Sequence, residues 1–274
     1  MTSEQIDALW DFNNPADSQK KFEEALITSR DSANEIRTQV CRSLGLQRKF
    51  DEGWAELAKI PKDRDPIVEV RIQLESGRLK NSSGDKVAAK PFFDKALELA
   101  MQGNFYFYAV DAAHMLGIVT TGEESLNWNE KAIQMATASA DKRTQNWNGS
   151  LLNNLGWTYH DMGEFEKALI KFQSALEFRK KQGDAERTRI AKWSVARCLR
   201  SLNRYEEAIQ IQRELEGGPN DGYVWEELAE LLLATNKTTE SKPYFLRAYD
   251  ELSKDDWFRA NESKRLTRLK ELGI

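Results

Sequence analysis

The clearest pattern of apolar and polar positions lies in the middle of the chain. Leu152, Leu155 and Tyr159 recur at steps of three and four residues, which places them on one face of a helix. A polar stretch follows around Gly163, and this glycine is free to adopt the left-handed conformation that ends many helices. The pattern therefore predicts a helix that ends near residue 162.

A second helix is predicted from Phe165 onward. In it the small residues Ala168 and Ala175 bracket Phe172. Gly156, on the preceding helix, and Ala168 are small where we expect the two helices to approach most closely. The two segments together are typical of a helical hairpin.

The same spacing recurs along the chain, each time around one small or apolar residue that we use as an anchor. The anchors are Cys41, Gly77, Ala113, Gly156, Ala196 and Ala229. Successive anchors are 33 to 43 residues apart. The two long steps fall around residues 133–150 and 177–190, which are charged and favour helix. We predict second helices extended by a turn or two there, with a longer loop as the alternative.

These spacings resemble the tetratricopeptide repeat, whose pattern is a bulky residue, Leu-Gly, Tyr, Ala, Phe and Ala. The matching positions in the clearest segment are Leu152, Leu155, Gly156, Tyr159, Ala168, Phe172 and Ala175. The resemblance covers residues 34–255 and implies an all-α, right-handed solenoid of about six helical hairpins. The longer steps resemble those of kinesin light chains.

The two ends of the chain are predicted to cap this array. Residues 1–33 contain two helical pieces broken at residues 13–15, and residues 256–274 contain a final amphipathic helix. Terminal units with one polar face keep a solenoid soluble. We expect Trp257, Leu266 and Leu269 to face the array, with Lys264, Arg265 and Arg268 outward.

Charge and apolar patterning exclude several classes of protein. The formal net charge is −4, whereas nucleic-acid binders usually carry a basic excess. No stretch approaches eighteen apolar residues, so no membrane span is predicted. The first residues lack the pattern of a signal peptide, which together with two well-separated cysteines favours a cytoplasmic location. Cys41 and Cys198 are expected to be small buried residues, with a disulfide or a catalytic thiol as the alternatives.

The resemblance also implies a binding groove lined by the first helix of each hairpin. The candidate groove residues are Arg78, Asp111, His114, Asn153, Asn154, Trp157, His160, Trp193, Arg197 and Arg200. A helix face with no function is expected to carry Lys, Glu and Gln, whereas Trp and Arg are frequent in binding hot spots. We therefore expect an acidic or C-terminal peptide segment in the groove between the third and fifth repeats. Its carboxylate would bind the two neighbouring arginines, and its side chains would stack on the tryptophans.

A purely structural interpretation of the same residues stays open. Glu226, Glu227 and Glu230 lie one repeat further on and would neutralise the two arginines, while the tryptophans would fill the space between repeats. The carboxylate clamp of chaperone-binding family members is not expected. Asn154 fits its middle position, but the flanking lysines and arginine are missing.

No catalytic chemistry is indicated by the sequence. The patterns GxSxG, GxGxxG, HExxH and the P-loop do not occur. A metal site of His114, His160, Asp111 and Asp161 is the alternative to ordinary hydrogen-bonding roles for the histidines. We predict a scaffold or adaptor that is not an enzyme, uses no cofactor and binds another protein or peptide. A self-associating scaffold, suggested by the eight tryptophans, and a peptide-sensing regulator are the alternatives.

Overall fold

The computed structural model describes residues 1–274, which form helices and contain no strand. The chain divides into two compact units, Met1–Asn154 and Leu155–Ile274, and the division falls inside one helix. The first unit contains α1 (Ser3–Asp7), α2 (Pro15–Thr28), a 3₁₀ turn (Arg30–Ser32), α3 (Ala33–Leu46), α4 (Phe50–Ala58), α5 (Pro66–Ser82), α6 (Lys86–Gln102), α7 (Tyr106–Val119), α8 (Gly122–Ala138), α9 (Lys142–Gln145) and the start of α10 (Asn148–Asp161). The second contains the end of α10, α11 (Phe165–Gln182), α12 (Ala185–Ser201), α13 (Tyr205–Glu216), α14 (Gly222–Ala234), α15 (Thr238–Leu252), α16 (Asp256–Asn261) and α17 (Ser263–Gly273). The all-α class and the helical hairpins predicted from the spacing are confirmed.

The glycine anchors lie where two helices of a hairpin touch. A Cβ atom added to Gly156 would lie 2.6 Å from the ring of Phe172, and one added to Gly77 would lie 2.5 Å from the ring of Phe93. Both phenylalanines are fully buried. The close approach of α10 to α11, and of α5 to α6, therefore requires a residue without a side chain at the anchor.

The turns inside the hairpins repeat with the same spacing. In five hairpins the residue seven positions after the anchor has a positive φ angle, and these residues are Arg48, Gly84, Gly163, Asn203 and Asn236. The left-handed conformation predicted for Gly163 is confirmed, with φ at 77°. Glycine and asparagine are the residues that adopt this conformation most readily, which explains four of the five positions.

The two long steps have different structures. For residues 177–190 the extended helix is confirmed, since α11 continues to Gln182 and α12 begins at Ala185. For residues 133–150 neither prediction holds in full, because α8 continues into the segment but is followed by a loop that contains a further short helix. There α8 ends at Ala138, and Asp141 caps the short α9 by accepting hydrogen bonds from the backbone N–H groups of Arg143 and Thr144.

The C-terminal cap consists of two helices where one was predicted. The break falls at Glu262, between α16 and α17. Phe258 is fully buried, whereas Trp257 is 47% exposed, so the prediction that Trp257 faces the array is wrong. Leu266 and Leu269 are buried as predicted.

Arg265 and Arg268 of α17, which were predicted to face outward, form ion pairs with carboxylates of α14 instead of projecting freely into solvent. Arg265 donates two hydrogen bonds, of 2.7 and 2.6 Å, to the carboxylate of Glu226 on α14. Arg268 pairs in the same way with Glu230, while Lys264 is exposed. These ion pairs connect the C-terminal cap to the last hairpin. In each pair the carboxylate is more buried than the arginine.

Two further predictions concern the whole chain. Cys41 and Cys198 are both buried and form no disulfide, and burial raises the pKa of both thiols, that of Cys198 to about 11. A protonated, buried thiol is a poor nucleophile. None of the helices combines the length and the apolar character that crossing a membrane requires.

Candidate functional site

The ten candidate residues fall in two groups, one in each unit. The first unit contains Arg78, Asp111, His114, Asn153 and Asn154, and the second contains Trp157, His160, Trp193, Arg197 and Arg200. Within each group most side chains are in contact or share a partner.

An aromatic row crosses the first helices of the second unit. The ring of Trp157 on α10 lies edge-on to the buried Phe172 at 4.9 Å, and 6.0 Å from the ring of Trp193 on α12. Trp193 in turn lies 6.0 Å from Tyr223 on α14, and its indole N–H donates a 3.0 Å hydrogen bond to the carbonyl oxygen of Tyr223. The row is therefore held in place by packing at one end and by a hydrogen bond at the other.

A pocket of about 800 Å³ opens beside the last two rings of this row. It lies between the first turns of α12 and the loop that joins α13 to α14, and it is lined by Ala185, Glu186, Arg189, Ile190, Trp193, Pro219, Asn220, Asp221 and Tyr223. Ile190 is 53% exposed and Tyr223 is 40% exposed. The volume lies within the range of about 300–1,000 Å³ that is typical of sites for small ligands.

Arg189 fixes the loop that forms the far wall of the pocket. Its guanidinium donates hydrogen bonds to the carbonyl oxygens of Leu215, at 2.8 Å, and Pro219, at 3.0 Å. It also pairs with the carboxylate of Asp221 at 3.1 Å. Since one side chain bonds to three acceptors, at the end of α13 and along the loop, the protein's own contacts hold this wall in position.

The two candidate arginines of the second unit share one buried carboxylate. Arg200 donates hydrogen bonds of 2.6 and 3.0 Å to Glu227, and the Nε atom of Arg197 lies 3.7 Å from the same carboxylate. Glu227 is buried. The predicted neutralisation of these arginines by acidic residues of the next hairpin is thus present, with Glu227 as the direct ion-pair partner and Glu230 acting on both arginines from further away.

The histidine of the second unit joins this polar cluster. His160 Nε2 lies 2.9 Å from the hydroxyl of Ser201, which also accepts a 2.8 Å hydrogen bond from Arg197. Burial, together with the positive charge of Arg197, lowers the pKa of His160. The imidazole is therefore neutral at physiological pH and acts as a hydrogen-bonding group.

In the first unit, Arg78 bridges two buried carboxylates. It donates hydrogen bonds of 2.6 Å to Glu75 and 2.5 Å to Asp111. Burial raises the pKa of Glu75. Burial also acts to raise the pKa of Asp111, but the guanidinium groups of Arg78 and Arg42 together outweigh it and the pKa is lowered.

His114 and Asn154 are hydrogen-bonded to each other in the first unit. His114 Nε2 lies 2.7 Å from the side-chain amide nitrogen of Asn154, and the imidazole ring packs 5.1 Å from Trp147. The Nδ1 atom of His114 and the Oδ1 atom of Asn153 are buried without a hydrogen-bond partner. No three His, Cys, Asp or Glu side chains of the chain are grouped to hold a metal ion, so the metal-site alternative gains no support.

His114 is expected to stay neutral well below the usual titration range. Burial lowers its pKa from 6.5 to about 4. The unfolded chain takes up this proton near pH 6.5, so the folded state loses stability as the pH falls from there toward 4. An NMR titration of the two histidine Cε1–H signals tests this, with a His114→Gln variant to assign them. A midpoint near 6.5 for His114 would contradict its burial.

The chain resembles known proteins in both sequence and structure. Residues 150–218 match the family model of the tetratricopeptide repeat. No curated protein sequence matches the chain. The matched segment contains most of α10 and all of α11, α12 and α13, and with them Trp157 and Trp193 of the aromatic row.

Several solved structures share the fold of this chain. A signal transduction ATPase with a tetratricopeptide repeat sensor, from Pyrococcus horikoshii, is 15% identical with a TM-score of 0.71 over 95% of this chain and 45% of its own. NprR in complex with its cognate peptide NprX is 16% identical, with a TM-score of 0.61 over 98% of this chain and 82% of its own. A Rap protein complexed with competence and sporulation factor is 16% identical, with a TM-score of 0.60 over 92% and 77%. This chain thus spans less than half of the Pyrococcus protein, and at these identities the likeness is one of fold.

Proposed function

We propose that this chain, which has the tetratricopeptide repeat fold, binds a peptide segment at the pocket beside Trp193 and Tyr223. The tetratricopeptide repeat fold is typically non-catalytic, and it supports a role in protein interaction or peptide sensing. The observation that carries the proposal is the preformed pocket of about 800 Å³ at the end of a fixed aromatic row. Binding costs less when the site is already in its bound conformation.

The walls of the pocket determine which side chain it would take. Ile190, Trp193, Pro219 and Tyr223 present mostly apolar surface, and the cation of Arg189 is already occupied by the loop. A bulky apolar side chain of a peptide would cover this surface and remove it from water. The neighbouring aromatic rings would then lie along the peptide on either side.

An acidic peptide has weaker support than an apolar one. Arg200 is bound through two hydrogen bonds to Glu227, and Arg197 lies close to the same carboxylate. A peptide carboxylate would have to displace this buried partner. We therefore propose selection by apolar bulk, with the acidic preference limited to a contribution from Arg197.

Peptide sensing is a more specific form of the same proposal. NprR and a Rap protein, which share the fold, have been solved with a bound peptide and with a competence and sporulation factor. This supports a peptide as the ligand but does not define its sequence. Self-association and a cytoplasmic location stay predictions.

Selection from a displayed library of random peptides tests the proposal. We expect full-length protein to enrich peptides with a recurring bulky apolar residue. Ile190→Asp is expected to weaken their binding at least ten-fold in fluorescence anisotropy, because it places a charge in the pocket. Both Ile190 and the control position Ile170 are more than half exposed, so neither change should affect folding.

Ile170→Asp is the matched control, since Ile170 lies on α11 and does not line the pocket. It should leave the affinity unchanged. Equal losses in both variants, or no enriched peptides at all, would overturn the assignment of the pocket as a peptide site.

A further inference from the structure

A second and smaller pocket lies in the first unit and shares no residue with the peptide pocket. Its volume is about 190 Å³, below the range for drug-sized ligands. Polar groups of Arg42, Glu75, Arg78 and Asn81 line it, together with the apolar side chains of Phe12, Leu46, Leu79 and Met115. A site of this size and lining suits a small molecule with both polar and apolar parts.

Arg42 is the first unusual group in this pocket. Its guanidinium lies 5.5 Å from the ring of Trp10 and 5.2 Å from that of Phe12, and these two rings are stacked 4.7 Å apart. The charges of Glu75 and Asp111 act on this guanidinium, but none of its N–H groups donates a hydrogen bond to them, whereas Arg78 beside it is bonded directly to both carboxylates. The aromatic rings therefore hold Arg42 in place while its N–H donors stay available.

Two of the residues that line this pocket also carry an acceptor atom with no hydrogen-bond partner. These atoms are Oε2 of Glu75 and Oδ1 of Asn81, both buried without a hydrogen bond. Glu75 is only 2% exposed, and its other oxygen is bonded to Arg78. Leaving a buried donor or acceptor unsatisfied costs about 1–3 kcal/mol, and more for a charged group. A ligand that satisfies these atoms would recover that cost.

We propose that this pocket binds a free α-amino acid. Its carboxylate would accept hydrogen bonds from Arg42, the usual partner for such a group. Its ammonium would donate to Oε2 of Glu75 and Oδ1 of Asn81, and a small apolar side chain would contact Leu79 and Met115. A simple anion would face the carboxylate of Glu75, and a simple amine would leave Arg42 unsatisfied, so a zwitterion fits best.

Isothermal titration calorimetry on the full chain tests this directly. The probes are L-alanine, L-valine and L-leucine, with 3-methylbutanoate and isobutylamine as matched compounds that lack the ammonium or the carboxylate of valine. At least one amino acid is expected to bind ten-fold or more tightly than both matched compounds. No binding by any amino acid, or equal binding by the acid alone, would overturn the proposal.

Arg42→Met is the variant that locates the site. Methionine retains an apolar side chain against Trp10 and Phe12 but removes the donors, so amino-acid binding should fall at least ten-fold. Lys62→Met is the control, because it removes the same charge from an exposed position elsewhere in the unit. Circular dichroism confirms that both variants fold. Unchanged binding in a folded Arg42→Met variant would contradict the assignment.

Discussion

Replacing Arg78 by methionine is expected to destabilise the first unit strongly, by about 3–5 kcal/mol at neutral pH. Arg78 is the shared partner of Glu75 and Asp111, whose carboxylates are 2% and 5% exposed. Methionine fills much of the same space but leaves two negative charges buried together. Urea denaturation followed by circular dichroism measures the loss, and Lys62→Met should change stability little.

The loss caused by Arg78→Met should shrink as the pH falls. In the native protein the pKa of Asp111 is lowered, so its ionised form contributes stability above its ordinary pKa that is lost in acid. Without Arg78, protonation of Glu75 and Asp111 removes their negative charges and therefore reduces the destabilisation of the variant. The difference between the two proteins should therefore be largest near pH 7 and smallest near about pH 4. His114 and Arg42 face the same cluster in both proteins. A difference that is constant with pH would contradict the proposed role of Arg78.

Replacing Phe172 by alanine is expected to cost about 3–5 kcal/mol of stability in the second unit. Phe172 is fully buried and packs against both Gly156 and Trp157. Its loss leaves a cavity between α10 and α11 and removes the support of the aromatic row. Ile170→Ala, on the exposed face of the same helix, is the control and should have a small effect in urea denaturation.

A double-mutant cycle with Gly156→Ala tests the contact itself. In the native background the new Cβ would meet the ring of Phe172, which is expected to cost about 1–3 kcal/mol. In the Phe172→Ala background that clash is gone, and alanine should even stabilise the helix relative to glycine. If Gly156→Ala has the same effect in both backgrounds, the two residues do not limit how closely the helices approach.

Most of the fold could be predicted because it depends on local spacing. Small anchors such as Gly156, and turn residues such as Gly163, each have a steric reason that recurs at a fixed interval. The short α9 departs from that interval. Asp141 carried the signal of a helix start there, because Asp is a favoured N-cap residue.

The candidate site was less predictable because its contacts join different hairpins. The resemblance assigned Asp111 and the arginines to a groove lined by the first helix of each hairpin. It did not show that Arg78 would pair with Asp111, or Arg200 with Glu227. Several side chains that were predicted to line an open groove therefore form ion pairs within the protein itself.

The pocket of the second unit depends on a loop that has no periodic pattern. Trp193 was a candidate residue, but Ile190 and the wall from Pro219 to Asp221 were not. Gly217 and Gly218, followed by Pro219, are a turn signal that marked the end of α13. The position of that loop is set by Arg189 on another helix, and this is not visible in the sequence.

Methyl NMR on the full chain is the most direct test of the peptide pocket. With isoleucine δ1 methyl groups labelled, a library-selected peptide should shift the signal of Ile190 during titration and leave that of Ile170 unchanged. Single Ile→Val variants assign the two signals. Saturation of binding with no change at Ile190 would contradict the claim that this pocket holds the peptide.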